Sequence, residues 1–200
     1  MVRKIGILAL QGDFNKHSLI LEKLDLEPTL VRYPSDLNRI IGLIIPGGES
    51  TTMTKLMDRA GFYEPITSFA NTNPVLGTCA GLIMMSSQAK DKRIKTLGLL
   101  DVEVERNASG RQIHSLCELI NIDINGKSHP TEATFIRAPI IVRYGSNVNV
   151  LATFNGSPCA VQSGLHLGLS FHPELNGVTI FHEFAFKKLV TLKEERIHAA

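Results

Sequence analysis

The sequence has few cysteines, little net charge and no long apolar run. Its three cysteines, Cys79, Cys117 and Cys159, are an odd number without a C-x-x-C spacing, so neither a disulfide framework nor a zinc site is expected. The formal net charge is only +2, which gives no sign of a nucleic-acid partner. No run approaches the roughly 20 apolar residues of a membrane-spanning helix. These features exclude several classes of protein and leave a compact domain.

The start and the length of the chain bear on location and domain number. A basic start and a short apolar run reach Gln11-Gly12-Asp13 without a small-residue cleavage pattern. We therefore expect no signal peptide, and the unpaired cysteines favour the reducing cytoplasm. A length of 200 residues suits one domain. We expect that domain over residues 1–190 and a charged tail over residues 191–200.

Hydrophobic patterning in the first half alternates between strands and helices. The runs KIGILAL, TLVRY, IIGLIIPGG and NPVLGTC are largely apolar, as in strands covered on both faces. Helical spacing follows the first run, where Asp13 can cap the helix. It also follows the third, where Ser50 or Thr51 can act as the cap and Gly61 can end the helix. This order predicts an α/β domain with an open, mainly parallel sheet flanked by helices.

The second half, from Leu97 onward, has the texture of additional strands. Alternating runs such as LLDVEVER, ELINIDI, EATFIRAPIIV, VLATFNG and CAVQSGLHLGLSF are rich in β-branched residues. Turns are predicted at Asn125-Gly126 and Asn155-Gly156. The last segment, GVTIFHEFAFKKLV, has helical spacing and is expected to close the domain.

Cys79 lies in the segment GTCAG, between an apolar strand and a helix. Small neighbours allow a nucleophile to occupy such a tight strand-to-helix turn. Free N–H groups at the start of a helix favour a thiolate, and that of Ala80 can stabilise an oxyanion. The alternative is a small buried core residue, as most free cysteines are.

A catalytic cysteine needs a base, and His172 is the best candidate among seven histidines. It lies in FHPEL, where an apolar strand ends before a proline that disfavours helical geometry. In an extended segment Glu174 would project to the same side as His172 and fix its tautomer. The other histidines, including His17 and His182 in predicted helices, have unremarkable neighbours. HPE alone could be a strand-ending turn, but together with GTCAG it predicts acyl transfer through a Cys79 thioester.

The third motif is PGGES, from Pro46 to Ser50. The N–H groups of Gly47 and Gly48 can face the oxygen that becomes negative in a tetrahedral intermediate. The alternative is a strand-to-helix turn capped by Ser50. It is not a phosphate-binding loop, because the G-x-x-x-x-G-K-[ST] spacing is absent.

PGGES, GTCAG and FHPE, in this order, resemble the oxyanion turn, the nucleophile turn and the His–Glu pair of class I (triad) glutamine amidotransferases. The chain also resembles the glutaminase subunit of the two-component pyridoxal 5′-phosphate synthase. The segments that carry this resemblance are LALQG, GLIIPGGESTTM, GTCAGLI, LGLLDVEVERNASGRQ, FIRAP and SFHPEL. The likeness extends from about Ile5 to Leu189. It implies a single-domain class I glutamine amidotransferase-like, flavodoxin-like α/β fold.

The resemblance implies hydrolysis of L-glutamine to L-glutamate and ammonia. The ammonia would pass to a separate barrel-shaped synthase subunit that makes pyridoxal 5′-phosphate, the vitamin B6 cofactor. Cys79 would be the nucleophile, His172 the base and Glu174 the residue that orients it. With Ala80, the substrate-binding residues would be Gly47, Gly48, Glu49, Ser50, Arg106, Ile136 and Arg137. No metal or bound organic cofactor is implied.

Some residues stand apart from this scheme. By resemblance Gln11 lies at the contact with the synthase subunit, and we place it outside the catalytic set. Ser109 and the segment Ile113–Cys117 depart from the family pattern, which affects details of that loop and its partner contacts and leaves the triad intact. The alternatives are a triad amidotransferase of another pathway, a non-catalytic scaffold subunit, and a free-standing cysteine peptidase or esterase.

Overall fold

A computed structural model describes residues 3–106 and 115–188. The strands are β1 (Lys4–Leu8), β2 (Glu27–Val31), β3 (Gly42–Ile45), β4 (Val75–Thr78), β5 (Ser86–Ala89), β6 (Leu100–Glu105), β7 (Leu116–Ile124), β8 (Lys127–Phe135), β9 (Ile140–Tyr144), β10 (Asn149–Phe154), β11 (Ser157–Ser163) and β12 (His166–Leu169). The α-helices are α1 (Phe14–Lys23), α2 (Ser50–Arg59), α3 (Tyr63–Ala70), α4 (Ala80–Met85) and α5 (Ile180–Glu183). The 3-10 helices are Pro34–Arg39 and Pro173–Asn176, and Phe184–Lys188 is π-helical.

The main sheet has seven strands in the order β10-β11-β12-β4-β3-β1-β2. Strands β2, β1, β3, β4 and β12 pair in parallel, whereas β11 and β10 add antiparallel strands at one side. The order of the parallel strands is the doubly wound, flavodoxin-like order. The expected mainly parallel α/β sheet with additional strands is therefore confirmed.

Side chains of the main sheet alternate between two hydrophobic clusters, one on each face. On β3, Ile44 packs with the cluster that contains Leu21 of α1, whereas Leu43 and Ile45 pack with the cluster that contains Met53 of α2. This alternation follows from the two-residue period of a strand. Burial on both faces explains why these strands read as uninterrupted apolar runs.

Several local predictions can be compared directly with the structure. Asp13 caps α1 and accepts from the Lys16 N–H at 3.2 Å. The predicted cap of α2 was wrong, because neither Ser50 nor Thr51 caps that helix. Glu49 does so, accepting from the Thr52 N–H at 2.8 Å. A carboxylate one residue earlier can satisfy the same free N–H groups.

The second half differs from its predicted pattern in two places. EATFIRAPIIV was predicted as a strand, but it divides into β8 and β9, and residues 136–139 form the connection. CAVQSGLHLGLSF likewise divides into β11 and β12, and β12 pairs antiparallel with β11 and in parallel with β4. The turns at Asn125-Gly126 and Asn155-Gly156 are present, with positive φ at all four residues. The predicted tail over residues 191–200 lies outside the described residues, as do Ser109 and the first two residues of Ile113–Cys117.

Candidate active site

Cys79 stands on a sharp turn between β4 and α4. Its φ of 49° and ψ of −105° are rarely adopted by a residue with a side chain. The backbone holds this turn, because the Cys79 N–H donates to the Leu169 carbonyl at 2.8 Å. A Cβ at Gly81 would overlap the carbonyl oxygen of Ile45, so the turn packs too closely for any larger residue there. The G-x-C-x-G spacing thus reflects crowding around a buried backbone bend.

His172 and Glu174 meet at the end of β12, on the 3-10 helix Pro173–Asn176. The distance between His172 Nδ1 and Glu174 Oε1 is 2.6 Å, and the ring nitrogen donates to the carboxylate. The reason predicted for this contact was wrong, because the segment after His172 is helical rather than extended. The bend of the 3-10 helix brings the carboxylate back to the ring at its N-terminus.

The two side chains stabilise each other's charged form. Burial alone lowers the pKa of His172, but its hydrogen bonds with Cys79 and Glu174 and their charges outweigh burial, so this pKa is raised. Burial raises the pKa of Glu174, but the bond from His172 and the neighbouring imidazoles outweigh it, so that pKa is lowered. A protonated imidazole beside a carboxylate and a thiol can deliver a proton to a leaving group.

These groups open into a cleft of about 300 Å³, at the lower end of volumes typical of small-ligand sites. The Cys79 Sγ lies 3.9 Å from the Ile136 carbonyl oxygen. The cleft contains most of the predicted site residues, namely Gly47, Gly48, Glu49, Ser50, Cys79, Arg106, Ile136, Arg137, His172 and Glu174. Ala80 does not line it. Four other described residues that no sequence motif indicated as part of a site also line it, namely Gly12, Asp13, Ile83 and Leu175.

Opposite charges face each other at the wall of this cleft. The distance between Glu49 Oε1 and Arg106 Nη2 is 2.6 Å, and Arg106 Nη1 lies 3.6 Å from Asp91 Oδ2. Burial raises the pKa of Glu49, but bonds from Thr51 and Thr52 and the charge of Arg106 outweigh it and lower this pKa to about 2. Glu49 is therefore an anion across the physiological pH range.

The PGGES turn is held from two sides. The Gln11 side-chain amide donates to the Glu49 carbonyl at 2.7 Å, and Gly12 packs closely against the Gly47 carbonyl oxygen. On its other side, a Cβ at Gly47 would overlap the ring of His172. Gln11 was predicted at an interface, and in this structure it supports the turn beside the triad.

Two histidines that seemed unremarkable in the sequence lie next to the triad. His17 of α1 and His182 of α5 are both fully buried. The His17 Nε2 lies 3.7 Å from Glu174 Oε1. The available signal was the helical spacing of His17 with Phe14 and Leu21, which places it on the apolar face of α1.

Two properties of the described residues concern membranes and metal ions. Among residues 3–106 and 115–188, no helix is long and apolar enough to cross a membrane. In the same part of the chain, no group of three or more His, Cys, Asp and Glu side chains is arranged to hold a metal ion.

Solved structures share this fold. A crystal structure of a glutamine amidotransferase has 38% sequence identity and a TM-score of 0.84, covering 92% of this chain and 97% of that chain. A structure of PurLQS from Thermotoga maritima, at 19% identity and a TM-score of 0.66, covers 98% of this chain and 100% of that chain and shares the fold alone. The architecture is that of the class I glutamine amidotransferases.

Residues 7–191 match the SNO glutamine amidotransferase family, and the chain belongs to that family. A relative from Koribacter versatilis is 46% identical over 184 residues, 92% of this chain and 94% of its own. Another from Thermosipho africanus is 44% identical over 182 residues, 90% of this chain and 96% of its own. Both are named pyridoxal 5′-phosphate synthase subunit PdxT. The family recognised from the sequence motifs, and with it the class of enzyme, is confirmed.

Proposed function

We propose that this protein hydrolyses L-glutamine to L-glutamate and ammonia at Cys79. The observation that carries the proposal is the contact of His172 with Glu174, at 2.6 Å, in the same cleft as the strained Cys79 turn. A nucleophile, its base and a carboxylate that orients the base form a complete set for acyl transfer. The family supports the class of reaction, and these residues support its mechanism.

The charged wall of the cleft fits the α-carbon end of glutamine. A free amino acid carries an ammonium and a carboxylate, and Glu49 and Arg106 offer the two opposite charges. Without substrate these two side chains pair with each other. Substrate would separate them, with its ammonium toward Glu49 and its carboxylate toward Arg106. Arg137, which also lines the cleft, can add a second cation for that carboxylate.

The chemistry follows from the order of the groups. The Cys79 sulfur, after giving its S–H proton to His172, attacks the side-chain amide carbon, and the amide oxygen becomes negative. The N–H of Ala80 and those of the Gly47-Gly48 turn are the donors available for this oxygen. The His172 imidazolium gives its proton to the departing nitrogen, so ammonia leaves and a thioester remains. Water then attacks the thioester while His172 takes its proton. The C–S bond breaks, glutamate is released, and His172 returns the proton to the sulfur, which restores the thiol.

The second part of the proposal concerns where the ammonia goes. The relatives from Koribacter versatilis and Thermosipho africanus are named as subunits of pyridoxal 5′-phosphate synthase. We place this protein in the same kind of complex, with a barrel-shaped synthase subunit as the acceptor of ammonia for vitamin B6 biosynthesis. Cys79, Cys117 and Cys159 are free thiols, which fits a cytoplasmic enzyme. Neither nucleic acid nor membrane has a part in this function.

The test is glutamate release from L-glutamine by the full chain, measured with and without the synthase subunit. The matched control is Cys79→Ala, which removes only the sulfur. We expect hydrolysis that depends on the synthase subunit and disappears in Cys79→Ala. A complex that forms without hydrolysis would overturn the proposal and favour a scaffold. Hydrolysis stimulated only by another synthase would assign the ammonia to a different pathway.

A further inference from the structure

Glu174 contacts His17, one of a pair of buried histidines that do not line the cleft. The distance between His17 Nδ1 and His182 Nε2 is 2.9 Å, with ring centroids 5.2 Å apart. The other ring nitrogen of His17, Nε2, lies 3.7 Å from Glu174 Oε1 and 3.5 Å from Thr78 Oγ1. A series of polar contacts thus leads from His172 through Glu174 and His17 to His182, from the cleft into the protein interior.

Both histidines of this pair are neutral at the pH of the cytoplasm. Burial lowers the pKa of His182 to about 3. Burial also lowers the pKa of His17 to about 3, although the Glu174 carboxylate opposes this effect. Each ring therefore carries one N–H, and the contact between the rings requires one of them to donate.

The carboxylate decides which ring donates. If His17 donated through Nδ1, its Nε2 lone pair could accept from Thr78 Oγ1 but would also face the negative Glu174 oxygen. His182 would then carry its proton on Nδ1, which has no hydrogen-bond partner among the described residues. If His182 donates instead, His17 carries its proton on Nε2, toward the carboxylate. This arrangement leaves only an acceptor without a hydrogen bond at His182 Nδ1. In a protein interior an unpaired acceptor is less unfavourable than an unpaired donor.

We propose that His17 is a positioning residue of the glutaminase site: it donates its Nε2–H toward Glu174, in a tautomer set by the donor of His182. His172 and His17 then both direct an N–H at the same carboxylate oxygen, Oε1, at 2.6 and 3.7 Å, so the carboxylate stays ionised and directed at His172. The neutral ring supplies this donor without a second positive charge, which would compete with the His172 imidazolium. The inference rests on the proposed glutaminase function and adds residues to the same site.

The simpler view is that the pair only packs α1 against α5. Packing requires the volume of the rings, whereas positioning requires a donor at the place of Nε2. Gln at position 17 retains an amide N–H at that place, and Leu retains apolar volume without it. The comparison of these two variants separates the two views.

The experiment measures glutaminase kinetics of the complex with the synthase subunit for wild type, His17→Leu and His17→Gln. The control is His166→Leu, which removes a histidine of β12 that does not line the cleft. We expect His17→Leu to lower kcat about tenfold or more with little change in KM, and His17→Gln to recover most of that loss. His166→Leu should keep the wild-type kcat, and thermal unfolding should establish that each variant is folded.

The pH profile adds a readout that packing alone does not change. The titratable groups around Glu174 are His172 beside it, His17 from α1 and His182 behind His17. Cys79 is the neighbour that helps raise the pKa of His172. Without the donor of His17 the carboxylate takes up a proton more readily, so the acid limb of kcat should move to higher pH by about one unit. His17→Gln should show the wild-type limb.

The outcomes distinguish this inference from the function on which it rests. Wild-type protein without glutaminase activity would overturn the proposed function. An active wild type with an equally active His17→Leu, or with His17→Gln as impaired as His17→Leu, would overturn only the role of His17. If His17→Leu fails to fold, the tautomer of His17 in the wild-type protein tests the proposal instead. In ¹⁵N-histidine-labelled wild type, long-range proton–nitrogen correlations should show the proton on His17 Nε2, and a proton on Nδ1 would contradict the proposal.

Discussion

Glu49 and Arg106 lie 2.6 Å apart, carboxylate to guanidinium, at the wall of the candidate active site. The pair joins the start of α2 to the end of β6, two elements that are far apart in sequence. Glu49 is also fixed by the N–H of Thr52, which it caps. The Glu49 carboxylate therefore caps the N-terminus of α2, pairs with Arg106 and presents a negative charge to the cleft.

This pair makes a prediction about substrate affinity. Glu49→Gln retains the size of the side chain but removes the charge that would meet the ammonium of glutamine. We expect KM for L-glutamine to rise about 10- to 100-fold with a smaller change in kcat, because the interaction already exists in the ground state. Steady-state glutamate release with the synthase subunit present measures both constants.

The control is Asp58→Asn, which removes a carboxylate of the same helix that pairs with Lys95 at 3.0 Å and does not line the cleft. It should leave KM unchanged. An unchanged KM in Glu49→Gln would remove Glu49 from the substrate site.

Gly47 makes a prediction about catalysis. A Cβ at this position overlaps the His172 ring, so Gly47→Ala must displace the ring or the turn. Misplacement of a catalytic group by about 1 Å costs about 100-fold in rate. We expect kcat to fall by that order at saturating glutamine.

The comparison variant is Gly164→Ala, where a Cβ meets nothing within 4 Å but φ is +54°. It should lose some stability and retain its kcat. Wild-type kcat in a folded Gly47→Ala protein would contradict the close contact with His172.

The parts of the fold that local chemistry determines were predictable. The buried parallel strands are apolar on both faces, and the Asn-Gly pairs at 125–126 and 155–156 tolerate the positive φ of tight hairpin turns. The place of β12 was not predictable, because its run alternates like those of β10 and β11. Only pairing with β4, some 90 residues away, assigns it to the parallel sheet.

The candidate site likewise has parts that local sequence predicts and parts that depend on the tertiary structure. Cys79 and the His172–Glu174 pair stand in short motifs whose chemistry is legible from residue types and spacing. His17 and His182 are 165 positions apart, and no local pattern joins them. They meet because α1 and α5 pack on the same face of the sheet, so their role becomes visible only with the tertiary structure.

Arg137 makes a prediction about backbone strain at the site. Its φ of 46° lies in the left-handed region, which is unfavourable for a residue with a Cβ. Arg137→Gly relieves this strain and Arg137→Ala does not. We expect the free energy of unfolding of the Gly variant to exceed that of the Ala variant by about 1 kcal/mol.

Both variants lose the guanidinium, so both should show the same rise in KM for L-glutamine. Urea unfolding and steady-state kinetics on the same two proteins provide the measurements. Equal stability of the two variants would contradict the left-handed conformation, and unequal KM values would indicate that the backbone rather than the charge matters for binding.

The buried histidines make a prediction about stability and pH. In the folded protein the pKa is lowered to about 3 for His17 and His182 and to about 4 for His166, in each case mainly by burial. In the unfolded chain each takes up a proton near its ordinary pKa of about 6.5. Between these values the unfolded state binds more protons, so the free energy of unfolding must fall as the pH is lowered from about 6.5.

His182→Gln removes one of the three groups that take up a proton on unfolding, and its amide retains a donor toward His17. Between pH 7.5 and pH 5.5, its free energy of unfolding should fall by about 1.4 kcal/mol less than that of wild type. Both pH values lie above the range in which Glu49 and Glu174 titrate, and the contribution of His172 is the same in both proteins and cancels in the comparison. Phe181→Leu, a change beside His182, should destabilise the protein equally at both pH values. The same fall in His182→Gln as in wild type would mean that His182 takes up no proton on unfolding, which would contradict a neutral His182 in the folded protein.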